Sequence, residues 1–280
     1  MIKPISGKVR DIYEISDDRL VIVTTDRISA FDVILSKPVP GKGKALTAIS
    51  LFWFNFTKDI TPNHIISSDL RDMPEHFRKD EFEGRTVLVK RLRMLPFEFV
   101  VRGYIFGHMW DAYRQDREFC GHKIERDYSL AEKLDTPLFT PSTKARTGHD
   151  EYVSYQYVEY MIGAALTKKI ESICIELYEA CNKYAGSKGL VLADTKFEFG
   201  LDSHDNLFLA DEICTPDSSR YWSSFDYRTG TSPKSYDKQF VRDWLLNNKV
   251  NGEMQFGNMP DSIAAKTAEI YSDCLRKIVG

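Results

Sequence analysis

One run of the chain, GLVLADTKFEFGLD at 189–202, constrains much of what can fold around it. Val191, Ala193, Thr195, Phe197 and Phe199 share one parity, and Leu192, Asp194, Lys196 and Glu198 share the other. In a β-strand, side chains two apart lie on one face, so an acid, a base and a second acid stand in a row. A second strand-like run, NLFLADEIC at 206–214, follows the polar stretch Asp202-Ser203-His204-Asp205-Asn206. Folding the two as an antiparallel hairpin, with Asp202 opposite Leu207, sets Glu198 opposite Asp211. Like charges directly opposite destabilise a sheet, and one carboxylate keeps its proton unless a cation lies between them. One or two carboxylates completed by substrate phosphates are what Mg²⁺ prefers. A solvated sheet face with an exposed Asp-Lys-Glu ladder reads equally well from this run alone.

A chain of 280 residues can bury a large core and is expected to form two lobes. The strand-rich first third predicts a hairpin over GKVRDIYEI and RLVIVTT, with Lys8 and Arg10 on one strand face after Gly7. Leu46, Ile49, Trp53 and Phe56 recur at helical spacing over 44–58. Residues 85–94 and 97–104 read as strands, a short helix with Trp110 and Tyr113 follows Gly107, and 115–150 reads as a functional loop. A long helical pattern runs from Ser154 to Ala185 with a break at Gly163; Asp237 caps a further helix, and another fills 260–278. Strands first and helices around a later hairpin predict an α+β fold rather than a doubly wound parallel sheet.

Composition narrows the function. A net charge of −3 carries no basic surplus for a nucleic-acid backbone. No apolar run approaches a membrane span, and MIKPISGKVR has no signal-peptide apolar region, so a cytoplasmic location is expected. The five cysteines form no CxxC and read as reduced thiols, some in the core; the scattered histidines have no zinc spacing. Several segments can hold anions: Lys8 and Arg10, Arg102 after Phe99-Val100-Val101, Asp217 to Arg220 in TPDSSR, and Lys144 in FTPSTKA. Each also admits a structural reading as an exposed pair, an internal ion pair or a self-satisfied turn.

The order of motifs goes further. GKVRDIYE, TDRISAFDVIL, PGKGKALTAIS, VVRGY, FTPSTKA, ADTKFEFG, ADEICTPDSSRYW and SYDKQFVRDW run from residue 7 to residue 244. Together they closely resemble the phosphoribosylaminoimidazole-succinocarboxamide synthase (SAICAR synthase) family, in its longer, fungal-type form. The resemblance implies ATP-dependent joining of the carboxylate of carboxyaminoimidazole ribonucleotide (CAIR) to the amine of L-aspartate through an acyl phosphate, with Mg²⁺. It implies an antiparallel nucleotide-binding lobe over 1–95 and an α+β lobe over 96–280, with small-molecule partners and a monomer or homodimer. A small-molecule kinase would share ATP, Mg²⁺ and two lobes, but no HRD-like loop or DFG is present.

The resemblance also assigns residues. Lys8 and Arg10 meet the ATP phosphates; Lys90, Leu92 and Met94 line the adenine side; Lys238 and Arg242 lie near the nucleotide. Asp194, Lys196 and Glu198 are catalytic, with Glu198 and Asp211 on the metal. Arg102 and Arg220 clamp the CAIR phosphate, with Asp217, Ser218 and Ser219 shaping that pocket and Ser142, Thr143 and Lys144 holding CAIR or aspartate. Family members carry Gly-Ser after the arginine strand, the serine contacting phosphate; here Gly107-His108 stands in its place, so His108 is the candidate substitute contact.

Overall fold

Alternating and β-branched runs become strands largely where the sequence puts them. The computed structural model describes residues 3–144 and 150–280. Arg10–Glu14 and Arg19–Thr24 form the expected hairpin, with Val21, Ile22 and Val23 buried. They belong to a five-stranded antiparallel sheet ordered Ile5–Ser6, Arg10–Glu14, Arg19–Thr24, Thr86–Lys90, Ile65–Ser67. Lys8 lies outside it, which corrects the expected pairing of Lys8 and Arg10 on one strand face. The Gly7 N–H donates to the Arg10 carbonyl at 2.8 Å and closes a turn, so the two cations diverge. Lys8 reaches Asp32, while Arg10 reaches Asp211 and Glu212.

The central strand of the second, seven-stranded sheet is Leu190–Leu201. Ser219–Ser223 pairs with its first half and Phe97–Tyr104 with its middle; Leu207–Ala210 and Arg93–Met94 pair with its second half. Of its twelve residues only Val191 and Lys196 are less than buried, which rules out a solvated Asp-Lys-Glu ladder.

The hairpin register differs from expectation by one residue: Leu201 faces Leu207, so Glu198 faces Ala210 rather than Asp211. The cause is local. The Asp202 carboxylate accepts the amides of His204 and Asn206, both at 2.9 Å, and Asp202 N–H donates to the Asn206 carbonyl. Asp205 turns left-handed at φ 59°, giving a three-residue loop with a left-handed final residue. Asp211 falls just past the strand end, at φ 62°.

The expected loop over 115–150 contains the edge strand Lys133–Phe139, which pairs with Phe97–Tyr104. Pro137 obscures it in sequence, and proline, lacking an N–H, is tolerated at an edge. Residues 145–149 of that loop lie outside the described residues.

Helices occupy Lys42–Phe56, His108–Asp116, Tyr155–Ile162, Ala164–Ser187, Gln239–Asn247 and Asp261–Val279. The long pattern breaks at Gly163, φ 90°, and the Ser154 hydroxyl caps its first segment. Asp237 accepts the Gln239 amide at 2.6 Å, starting the helix it was expected to cap. Ile170, Cys174, Leu177, Tyr178 and Cys181 of the long helix pack with Phe97, Phe99, Val101, Phe197 and Phe199 in the main core. All five cysteines are free; Cys120 alone is less than buried. The chain passes from the first sheet to the second between Lys90 and Arg93, yet Ile49, Trp53 and Phe54 of helix Lys42–Phe56 belong to the second core.

Tyr178 Oη donates to the Leu192 carbonyl at 2.8 Å, and a Cβ on Gly103 would lie 1.9 Å from that oxygen. Gly103→Ala is therefore expected to cost about 1–3 kcal/mol of stability. A lower denaturant midpoint at unchanged slope is the measurement that checks it.

Candidate active site

Three charged clusters meet around the central strand. In the first, Lys196 Nζ lies 2.6 Å from Glu98 Oε1 and 2.8 Å from Glu198 Oε1, while Lys144 takes the other Glu198 oxygen. Burial opposes the Lys196 charge, but Glu198, Glu98 and Asp211 outweigh it and hold the ammonium well above the usual lysine range. Arg10 bridges Asp211 and Glu212, and Thr215 Oγ1 donates to Glu212 at 2.6 Å. Burial would raise the Asp211 pKa; Arg10, Lys196 and Lys144 instead hold it well below the carboxylate range. Ser142–Thr143 pairs with Phe97 and Glu98, and this pairing delivers Lys144 to Glu198.

In the second cluster, Asp194 stands in register with Arg102 on one neighbouring strand and Arg220 on the other. Asp194 Oδ2 accepts from Arg220 at 2.5 Å and from Arg102 at 3.3 Å. Asp194 thus joins the arginines rather than Glu198 and Asp211. Arg102, 3% exposed, also donates to Thr140 Oγ1 at 3.1 Å and to Tyr152 Oη at 3.4 Å. His108 Nδ1 shares a 2.9 Å hydrogen bond with the same Tyr152 hydroxyl, which brings the histidine to the arginine pair. Burial, then Arg102 and Arg220, push the imidazole pKa below its ordinary value. Gly107 at φ 59° is required here, because a Cβ would sit 2.9 Å from Arg220 NH2.

The third cluster centres on Asp217. Its Oδ2 accepts from Lys42 at 2.7 Å and Lys238 at 3.1 Å, and its Oδ1 accepts from Tyr271 Oη at 2.5 Å. Lys42 is wholly buried. Burial would raise the Asp217 pKa, but Lys238 and Lys42 hold it well below the usual range. Ser218 and Ser219 spend their hydroxyls inside the fold, on Thr215 and on Thr195 Oγ1 at 2.8 Å.

The residues expected around the nucleotide divide. Leu92 and Met94 pack over Gly200, where a Cβ would lie 2.7 Å from Leu92 Cβ. Lys90 Nζ sits 4.2 Å from the Phe208 ring centroid and 3.8 Å from Asp202. Lys238 and Arg242 stand apart from that group: Lys238 pairs with Asp217, and Arg242 acts electrostatically on His108 and Asp237. Among the described residues, no three His, Cys, Asp or Glu side chains gather as a metal cage. Glu198, whose two oxygens meet Lys196 and Lys144, and Asp211, paired with Arg10, both lie in the field of Lys196.

Sequence reasoning missed Glu98, Glu212, Lys42, Tyr152 and Tyr271. Glu98 had a trace, since it shares strand parity with Arg102 in FEFVVRGY. Lys42 lies in the turn-like PGKGKA, and Tyr271 is 54 residues from Asp217, so neither had a local mark.

The family model for SAICAR synthetase matches residues 3–258. This chain belongs to the SAICAR synthase family. Members of that family carry out the ATP-dependent ligation of CAIR and aspartate in purine biosynthesis. The chain is 47% identical over 276 residues to phosphoribosylaminoimidazole-succinocarboxamide synthase of Chromobacterium violaceum, covering 98% of this chain and 97% of that protein. With the enzyme of the same name from Pichia angusta it is 42% identical over 283 residues, covering 98% of this chain and 93% of that protein. The SAICAR-synthase from Saccharomyces cerevisiae complexed with SAICAR superposes with a TM-score of 0.91 at 38% identity, covering 100% of this chain and 95% of that one. No helix among the described residues is long and apolar enough to cross a membrane.

Asp217→Asn would strand buried Lys42 and is expected to cost about 3–5 kcal/mol. Because the folded pKa of Asp217 is depressed, its ion-pair stabilisation is present above the unfolded value of about 3.9 and is lost as pH falls below it. Urea titrations from pH 6 downward should therefore show a shallower acid slope in the variant than in the native protein.

Proposed function

We propose that this chain joins the carboxylate of CAIR to the amine of L-aspartate, with ATP converting that carboxylate to an acyl phosphate. The observation that carries the reading is the spacing along the central strand. The arginine pair is anchored at Asp194 and the lysine-carboxylate cluster at Lys196 and Glu198. Four residues of strand from Asp194 to Glu198 span about 13 Å, which suits a nucleotide with its phosphate at one end and the reacting carboxylate at the other.

In this reading Arg102 and Arg220 hold the CAIR phosphate, and Asp194 orients both guanidiniums instead of meeting the metal. His108, tied to Tyr152, stands where the family resemblance places a serine and adds a donor to that phosphate. Lys196 faces the oxygens exchanged between ATP and the CAIR carboxylate. A carboxylate oxygen attacks the γ-phosphorus and ADP departs; the neutral amine of aspartate then attacks the carbonyl carbon, and phosphate leaves with the former carboxylate oxygen. The protein contributes position and charge, which is most of what phosphoryl transfer asks of an enzyme. Mg²⁺, held by Glu198 and Asp211 with the phosphates, would neutralise the triphosphate. Lys8 and Arg10 serve the same anion, and Lys90, Leu92 and Met94 border the base. Asp217 keeps Lys42 and Lys238 in place beside the substrate pocket, and Lys144 supports Glu198. L-Aspartate and CAIR are the small-molecule partners.

Purified protein should form SAICAR and ADP only when ATP, a divalent cation, CAIR and L-aspartate are all supplied; ADP release without CAIR would contradict the ligase reading. Lys196→Met and Glu198→Gln are each expected to lower kcat by about 100-fold or more in a protein that still folds but melts at a lower temperature, because each leaves a partner of the buried cluster short of its counter-charge. Near-normal turnover in either would move the reacting centre elsewhere. For His108, the bound phosphate is expected to raise an imidazole pKa that burial and the arginines depress in the free protein. The native advantage over His108→Ser in CAIR binding should therefore shrink from mildly acid to mildly alkaline pH; a constant difference would mean that the ring never meets the phosphate.

A further inference from the structure

Arg27 has no part in the scheme above, yet its guanidinium organises the turn that presents Lys8. Its NH2 donates to the carbonyls of Gly7 at 3.1 Å and Arg10 at 3.3 Å, and its Nε donates to the carbonyl of Lys8 at 3.2 Å. NH2 and NH1 also reach the two oxygens of Asp11, at 2.8 and 3.2 Å. The remaining carbonyl of the turn, that of Val9, accepts from the Thr25 amide and the Thr25 hydroxyl, each at 2.9 Å. All four carbonyls over 7–10 are thereby drawn to Thr25 and Arg27.

Peptide planarity turns this into a statement about the amides. In a trans peptide the C=O and N–H of one plane point in opposite directions, and the chain has no cis bond among its described residues. With the Gly7 carbonyl on Arg27, the Lys8 N–H points away from it. With the Lys8 carbonyl also on Arg27, so does the Val9 N–H. Neither amide donates to any acceptor among the described residues. Gly7 leaves room for the turn, since a Cβ there would press to 3.2 Å from the Arg10 carbonyl. Beside the two amides stands Lys8 itself, exposed and paired with Asp32 at 2.5 Å, at the left-handed tip Phe31-Asp32 of a short hairpin. Outward-facing consecutive amides next to an ammonium form an anion-binding concavity.

We propose that Arg27 is a positioning residue for ATP: by gathering the carbonyls of the turn it presents the Lys8 and Val9 amides, together with the Lys8 ammonium, to the nucleotide phosphates. The proposal rests on the reading of Lys8 as a phosphate contact. The task demands arginine, because a planar fork with five donors can serve several acceptors at once, whereas a lysine ammonium is a single point of charge. Asp32 releases Lys8 when the phosphates arrive.

Calorimetric titration of ATP with Mg²⁺, and separately of adenosine, into the native protein, Arg27→Lys, Asp11→Asn and Lys8→Met tests this. Arg27→Lys is expected to weaken ATP about 10-fold while adenosine affinity and the KM for L-aspartate stay within about two-fold of native. Asp11→Asn, which loosens Arg27 without removing it, should show the same selectivity with a smaller loss, and keeps the test open if Arg27→Lys does not fold. ATP affinity lost in Lys8→Met but kept in Arg27→Lys and Asp11→Asn would overturn the role of Arg27. Equal weakening of ATP and adenosine in the Arg27 or Asp11 variant would overturn it too, as a structural effect. ATP affinity retained in Lys8→Met would instead overturn the reading of Lys8 on which the proposal stands.

Discussion

A strand buried on both faces that carries an acid, a base and an acid can exist only if each charge is met, since an unpaired buried ion is far costlier than a paired one. That requirement selects the neighbours of Leu190–Leu201. Phe97–Tyr104 brings Glu98 to Lys196 and Arg102 to Asp194, and Ser219–Ser223 brings Arg220 to the other side of the same aspartate. Sheet order and charge pairing are thus one arrangement, and the apolar residues of the strand hold it against the helix Ala164–Ser187.

The charged groups left over decide what the site can receive. Each cluster holds cations tied to carboxylates that are themselves nearly enclosed, as Asp194, Glu198 and Asp217 are. An anion placed against such clusters would meet donors already oriented, without the reorganisation that water would require. These clusters are assembled in a chain that carries no excess of positive charge.

Legibility in the sequence followed the range of the interactions. Elements fixed by local pattern, such as the helix after Ser154, its break at Gly163 and the cap at Asp237, stood near their expected places. The hairpin register slipped by one because the choice lay with the Asp202 side chain rather than with strand alternation. The edge strand Lys133–Phe139 was hidden by Pro137, and the turn at Gly7 separated two cations that strand spacing would have aligned. Lys196, Glu198 and the two arginines were visible because motif and strand parity coincide there. Lys42 and Tyr271 were not, since only the folded chain brings a glycine-rich turn and the last helix to Asp217.

The helix Lys42–Phe56 has a mechanical consequence. Its Leu46, Ser50 and Leu51 line a small cavity with Ile22 and Val87 of the first sheet, while Ile49, Trp53 and Phe54 lie in the core of the second. At its first residue, the buried ammonium of Lys42 is bound to Asp217. Swinging the two sheets apart as rigid halves would strip this helix from one sheet or the other and open apolar surface to water in either case.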